Sequence, residues 1–313
     1  MLNFVLRRLG QMAFTIIVAS FLIFAVSEWT PGSVARKTLG PYATEQQVQI
    51  LTEELGLDRP VVVRYLEWAG NILQGDLGYS TLYKQPVAPI FRDRLANTAM
   101  LAAIAFAIIV PVSILFGVLA GMREGSLLDR GVSVAAIICT SLPEFALGAF
   151  LSSIFVIWLG VLPGTSTLDP GSGWSIASQL VLPVMVMVLY DAGYVIRMVR
   201  ASMIEVMLAP YIRTAILKGL SFRDVIRKHA LRNALIAPFT VILLQINYLI
   251  TGVVVVEAVF AYPGFGRMML EAALNKDVAL IEAGALVAVA IAVTTQVAGD
   301  IGYMLLNPRI RIA

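Results

Sequence analysis

Leu95–Met122 reads LANTAMLAAIAFAIIVPVSILFGVLAGM, 28 consecutive residues without a charged side chain. A helix rises about 1.5 Å per residue, so a run of this length exceeds the ~30 Å hydrocarbon core of a bilayer. Backbone N–H and C=O groups find no water there, and a helix satisfies them internally. The stretch is predicted to be a membrane-spanning helix.

Five similar runs accompany it. Leu9–Ser27, Pro170–Tyr190, Asn233–Val256 and Ala283–Gly299 carry no charge, and Gly131–Leu168 carries only Glu144. The apolar pattern after Tyr190 continues to Met203, and Asp277–Glu282 adds an apolar turn before the last run. Six spans follow. Long continuous runs exclude a β-barrel, whose strands alternate over short segments. Arg7 and Arg8 precede the first run in the manner of a signal peptide. Its 19 apolar residues exceed the roughly 7–15 of a cleaved signal, so it reads as an uncleaved first helix.

Composition agrees. Of 313 residues, 59% are apolar and 14% charged, and mean hydropathy is +0.85. Soluble domains run about 45–50% apolar and about 25% charged. An ordinary soluble enzyme, a disordered chain, a collagen and a secreted disulfide scaffold are excluded. A single cysteine, Cys139, precludes an intrachain disulfide, and a single histidine, His229, precludes a multi-histidine metal site within the chain. A net charge of +3 gives no support for nucleic-acid binding.

Orientation follows from the basic residues of the short loops. With the N-terminus in the cytoplasm, inner segments hold 14 of the 23 lysines and arginines, and short outer loops hold two, Arg267 and Lys276. The other seven lie in the long segment 28–94, too long to count in this rule. The expected organisation is a tail and first span at 1–27, an external helical segment at 28–94, a spanning core at 95–306 with an inner loop at 204–232, and a cytoplasmic tail at 307–313.

The external segment holds two predicted helices. Thr44–Leu55 has Thr44 as cap, Gln47 three residues on and Gly56 as terminator. Pro60–Gln74 starts on a proline suited to the first helical position and ends before Gly75. The segment is either a cap over the outer mouth or a docking surface for a soluble partner.

In the inner loop, Pro210 can open a short helix, Tyr211-Ile-Arg-Thr-Ala-Ile-Leu-Lys218 can form its body, and Gly219 can close it in the left-handed conformation. Lys218 suits a helix C-terminus. Ser221, with Asp224 three residues on, starts a second helix that runs through Arg227, Lys228 and Arg232 into the fifth span. The short helix is either a basic helix on the lipid surface or a knob that inserts into a cytosolic partner.

Catalytic signatures are missing. The chain has no Gly-x-x-x-x-Gly-Lys-Ser/Thr phosphate loop, no His-Glu-x-x-His and no Gly-x-Ser-x-Gly. Cys139 reads as an inert residue within a span and His229 as a solvated loop residue. An ionisable group at a span centre costs roughly 2.5–3.5 kcal/mol, so Glu144 is expected to face the helix bundle or a water-filled path. Pro143 beside it removes a backbone donor and is expected to kink the helix. Glu144 is either pathway-lining or satisfied by a neighbouring helix. Asp191 and Glu282 read as structural groups near span ends or paired turns, and Glu257 and Asp300 as interfacial ones.

Several motifs together carry a resemblance. Arg200-Ala-Ser-Met-Ile-Glu-Val206, Tyr211-Ile-Arg-Thr-Ala215 with Gly219, and His229-Ala-Leu-Arg-Asn-Ala-Leu235 resemble the inner loop of ATP-binding-cassette importer permeases. Leu55-Gly-Leu-Asp-Arg-Pro60, Gly75-Asp-Leu-Gly-Tyr-Ser80, Glu257-Ala-Val-Phe-Ala-Tyr-Pro-Gly-Phe-Gly266 and Asn307-Pro-Arg-Ile-Arg311 agree, so the resemblance covers nearly the whole chain. It is to the B-type permease subunit of the branch importing dipeptides, oligopeptides and nickel. That family carries a Glu-Ala-Ala-x-x-x-Gly signature in a coupling helix docked on the ATPase. Here Arg213-Thr-Ala215 stands in the Glu-Ala-Ala place and Gly219 matches the glycine, while Pro238 falls 19 residues later, farther than in the general signature.

The resemblance implies an all-α type I importer permease of the bacterial inner membrane, with both termini cytoplasmic. It implies ATPase coupling through Tyr211, Ile212, Arg213, Thr214, Ala215 and Gly219, and leaves Pro143 and Glu144 as candidate pathway residues. The implied partners are a homologous second permease, one or two cytosolic ATP-binding subunits, an external solute-binding protein and lipid, with no nucleic acid. ATP and magnesium would sit on the ATPases, with no cofactor on this chain. Peptides are the expected cargo, with nickel or another small solute as the alternative. The rival readings are a stand-alone channel or secondary carrier and an intramembrane enzyme; the latter needs a nucleophile–base pair or metal cluster that the spans do not show.

Overall fold

A computed structural model describes residues 2–29, 39–40, 42–54, 56, 58–251 and 253–306. The tail at 307–313 and Leu55, both part of the expectations above, lie outside them. The first helix, α1, is Leu2–Trp29. Glu45–Glu54 forms α2. Its start is a reciprocal capping box: the Gln47 N–H donates to Thr44 Oγ1 at 3.3 Å, and the Thr44 N–H donates to Gln47 Oε1 at 3.0 Å. Val61–Leu73 forms α3, with Pro60 as its N-cap and not, as expected, its first helical residue. Tyr79–Ser80 (β1) and Gln85–Pro86 (β2) pair antiparallel, a small departure from a purely helical chain.

Val87–Gly121 is α4, which starts eight residues before the charge-free run and takes in Arg92, Asp93 and Arg94. Leu127–Ser141 is α5. Glu144–Trp158 is α6, its last six residues wound as a π-helix. Ile176–Met207 is α7, Pro210–Leu217 is α8, and Phe222–Ala234 is α9. Ile236–Thr251 is α10 and Val254–Val259 is α11. Phe265–Asn275 is α12 and Val278–Leu306 is α13. Among the described residues, α1, α4, α7 and α13 are each long and apolar enough to cross a membrane, and two bent pairs bring the number to as many as six.

The bent pairs correct two expectations of single helices. The third run breaks by 103° between α5 and α6. Pro143 disfavours a helical Leu142, which is extended at φ −86° and ψ 131°. The fifth run bends by 53° between α9 and α10. A proline ring clashes with the carbonyl four residues before it, and four residues before Pro238 is Ala234, where α9 ends. Pro111 and Pro183 lie inside α4 and α7, which continue through them, as prolines in spanning helices commonly allow.

The chain divides into two compact units. In the unit of residues 98–263 and 298–313, α7 is the central element. Gly117 and Gly121, one turn apart on α4, meet it closely: a Cβ on Gly117 would lie 2.6 Å from Val199 Cβ, and one on Gly121 would lie 2.7 Å from Met203 Cβ. On another side, a Cβ on Gly193 of α7 would lie 2.7 Å from the Ala136 carbonyl oxygen of α5. Apolar side chains gain nothing by leaving lipid, so helix contact there rests on close packing, and small residues permit it. A charged clamp fastens the end of the α5–α7 contact. Arg200 Nη2 donates to Asp129 Oδ2 at 2.8 Å, Nε donates to Oδ1, and the Gly125 N–H donates to Oδ2 at 2.9 Å.

The other unit comprises residues 1–97 and 264–297. Arg64 of α3 clasps Glu28 of α1 with two hydrogen bonds of 2.7 and 2.6 Å. Phe24 and Tyr65 pack edge to face. The fully buried Asp277 accepts from Ser80 Oγ at 2.7 Å and from the Leu82 N–H at 2.9 Å, tying the β-hairpin turn to the start of α13. Tyr83 donates to Glu271 at 2.6 Å, and burial together with that carboxylate pushes its hydroxyl up to about 12.

Gly117→Leu forces a side chain into the α4–α7 contact, and overpacking costs about 1–3 kcal/mol or more. The variant is expected to lose folded protein on heating in detergent, while Gly131→Leu, which has open space at Cβ, stays near wild type. Asp129→Ala leaves the Arg200 guanidinium without its carboxylate at a cost of about 3 kcal/mol, read as a lower midpoint in the same thermal assay.

Candidate functional site

Two places concentrate functional chemistry, both in the unit of residues 98–263 and 298–313. The first is α8 and its flanks. Ala209 is the N-cap and Pro210 occupies the first turn, where its missing N–H costs nothing. Ile212 and Ala215, three residues apart, are buried against Met203, Val225, Ile226 and Ala230. Tyr211, Arg213 and Thr214 face outward. The Tyr211 hydroxyl accepts from Asn233 Nδ2 at 3.0 Å. The Gly219 N–H bonds the Ile216 carbonyl at 2.9 Å, and the residue sits at φ +78° with open space around its Cβ position. Its demand for glycine is thus conformational and not steric. Ser221 caps α9 by accepting from the Asp224 N–H at 3.2 Å.

The six residues picked out in this loop therefore lie in one short helix and its closing turn, but on two faces. Ile212 and Ala215 anchor the helix; Tyr211, Arg213 and Thr214 are presented. The sequence reading missed how apolar the presented side is. Leu217 is 78% exposed, and Leu208, Ile216, Leu220 and Phe222 in the same loop are exposed as well. Isolated leucines in a basic loop give no periodic signal. His229 is not a solvated loop residue: it is half-buried in the π-helical turn Val225–Ala230 of α9.

The second place is a cavity of about 300 Å³. Tyr190, Asp191, Tyr194 and Arg197 of α7 form one wall, Gln245 and Tyr248 of α10 another, and Thr140 of α5 completes it. Asp191 is 5% exposed, and Gln245 Nε2 donates to its Oδ1 at 2.8 Å. Glu144 adjoins this group, its Oε1 accepting from the Tyr248 hydroxyl at 2.5 Å. Pro143 is the N-cap of α6, and its carbonyl accepts from the Ala146 and Leu147 N–H groups at 3.0 Å each. The expected kink is thus a helix start, and Glu144 sits in the first turn, where the helix dipole favours a carboxylate. Asp191 joins these groups through residues 54 positions away, a proximity no local pattern announces. Glu257, expected at an interface with water, is fully buried and accepts from Thr98 Oγ1 at 2.5 Å.

Residues 113–312 match the family model described as the binding-protein-dependent transport system inner membrane component, and residues 1–102 match the model of the N-terminal part of such components. The chain is 37% identical over 310 residues to a Brucella abortus protein named for a peptide transport system permease, with 98% of each chain covered. It is 33% identical to the di/tripeptide transport system permease protein of Pseudomonas aeruginosa, with 99% of each covered. It is also 33% identical to the glutathione transport system permease protein of Shigella flexneri, again with 99% of each covered.

Polar groups at this depth require water or protein, and a thiol reacts as its thiolate, which forms readily only in water. In a Cys139→Ser background, Tyr194→Cys at the cavity wall is expected to react with a membrane-impermeant thiol reagent about tenfold faster than Ile138→Cys on an exposed apolar face of α5.

Proposed function

We propose, from the premise that the chain belongs to the binding-protein-dependent transport system inner membrane component family, that it forms half the pathway of an ATP-driven peptide importer and is driven through α8. The chain is a multi-pass permease of the bacterial inner membrane. The names of its relatives, which include peptide, di/tripeptide and glutathione permeases, support a short peptide as cargo. In this reading α5–α6 and α9–α10 each make one bent span, which gives six spans of the type I arrangement. The inward bias of the basic residues supports both termini, and α8, in the cytoplasm.

The observation that carries the reading is the two-faced construction of α8. Its inner face is fixed to Met203 near the end of α7, and its outer face offers apolar side chains beside Arg213. A cytosolic ATP-binding subunit would seat that outer face in a groove. Closure of two such subunits would move α8 as a rigid body, and α7 would carry the displacement up to Arg197, Tyr194 and Asp191. A homologous second permease would complete the pathway, and an external binding protein would deliver the peptide to the segment 28–94. ATP and magnesium belong to the ATP-binding subunits.

Affinity purification of the tagged chain in mild detergent is expected to recover a second permease and one or two ATP-binding subunits, and the assembly should accumulate peptide in proteoliposomes only with ATP and the binding protein. Recovery of this chain alone, transporting without ATP, would show a channel or carrier instead. Gly219→Asp places a charged side chain at φ +78°, a region glycine takes freely. It should leave the chain inserted and cut uptake by about tenfold or more, whereas Gly219→Asn, better suited to the left-handed region, should keep more activity. Glu144→Gln should lower uptake severalfold with ATP-binding subunits still bound; unchanged uptake would assign Glu144 a structural role.

A further inference from the structure

The wall of α7 carries opposite charges that are not paired with each other. Tyr190, Tyr194 and Arg197 recur four and three residues apart on one helix face, and Asp191 stands beside them on the same cavity. Gln245 holds Asp191 through Oδ1. Among the described residues Asp191 Oδ2 accepts no hydrogen bond and Arg197 forms no ion pair. Glu144, by contrast, has the Tyr248 hydroxyl on its Oε1. Asp191 and Arg197 are thus a carboxyl group and a guanidinium left open to one cavity, which Tyr190, Tyr194 and Tyr248 also line.

Their spacing has a chemical meaning. Six residues of helix separate them by about 9 Å along the axis. Extended peptide spans at most ~3.3–3.6 Å per residue, so the charged ends of a chain of about three residues stand a similar distance apart. A cavity of about 300 Å³ lies at the small end of the range of ligand pockets, roughly 300–1,000 Å³. A carboxylate recognises an ammonium by charge-assisted hydrogen bonds, and a guanidinium fork recognises a carboxylate. The tyrosines offer hydroxyls to a peptide backbone and do not select among its side chains.

We infer that this cavity holds a short peptide in transit, with its N-terminal ammonium on Asp191 and its C-terminal carboxylate on Arg197. The inference rests on the peptide-importer reading and locates the cargo within it. Tyr194, Arg197 and Tyr248 are exposed and would be shared with the second permease, so the site grips both ends of the peptide and leaves its side chains free. That suits a pathway, where binding must be firm enough to admit the solute and loose enough to release it.

The test uses the complete transporter in proteoliposomes with its binding protein, ATP and tri-alanine. Asp191→Asn and Arg197→Gln are each expected to lower tri-alanine uptake by about tenfold or more while ATP hydrolysis remains stimulated by the binding protein. Asp191→Glu should restore much of the uptake. In wild type, a tripeptide with a diazirine side chain at its first residue should label the segments around Tyr190–Tyr194 and Gln245–Tyr248, and this readout decides the matter if Asp191→Asn fails to assemble. Uptake by Asp191→Asn within about twofold of wild type, or labelling confined to other segments, overturns the site while the importer reading stands. Failure of wild type to accumulate tri-alanine with ATP and the binding protein overturns both.

Discussion

The fit of glycine against backbone along α7 is the constraint from which the rest of the permease core follows. Gly117 and Gly121 bring α4 against it, and Gly193 brings α5 against it, at distances that leave no room for a Cβ. In lipid this closeness replaces the hydrophobic drive that would hold a soluble core. The Arg200–Asp129 clamp then fixes α5 at one end of the contact. Removing Asp129 would leave the Arg200 guanidinium without its carboxylate partner.

A helix held this firmly on two sides can act as a lever. At one end, Met203 shares an apolar cluster with Ile212 and Ala215 on the buried face of α8. Farther along, Tyr190, Asp191, Tyr194 and Arg197 line the polar cavity. In the proposed scheme, work delivered at α8 would reach the cavity through one continuous helix 32 residues long, without a chain of side-chain adjustments. The protein performs no bond chemistry in this scheme. It would present polar groups to a solute within the spanning region and change which side of the membrane they face.

Much of this is legible in the sequence because the membrane imposes a simple rule. Charge-free runs of about 20 residues must be helices that satisfy their own backbone; the runs at 9–27 and 283–299 fall within α1 and α13, and the run at 95–122 falls within α4 but for Met122. Caps were legible for the same local reason: Thr44 with Gln47 and Ser221 with Asp224 each act within one turn, and Pro210 and Gly219 mark the two ends of α8. The breaks were harder to read. Pro143 and Pro238 interrupt helices whereas Pro111 and Pro183 do not, and composition alone does not distinguish them. The cavity was out of reach, because Thr140, Asp191 and Gln245 meet only after three helices pack. From the sequence Asp191 reads as a structural group within a turn or two of Arg197; only Gln245, 54 positions away, places it on a cavity wall.

The account's central claim is that α8 is the surface through which ATP hydrolysis drives the pathway. Site-specific photo-crosslinking tests it most directly, with a benzophenone amino acid in place of Leu217, the most exposed apolar side chain of that helix. In the purified assembly the account predicts a single dominant adduct with an ATP-binding subunit, whose yield changes when ATP is added. Adducts with lipid alone, or none with any ATP-binding subunit, would contradict it.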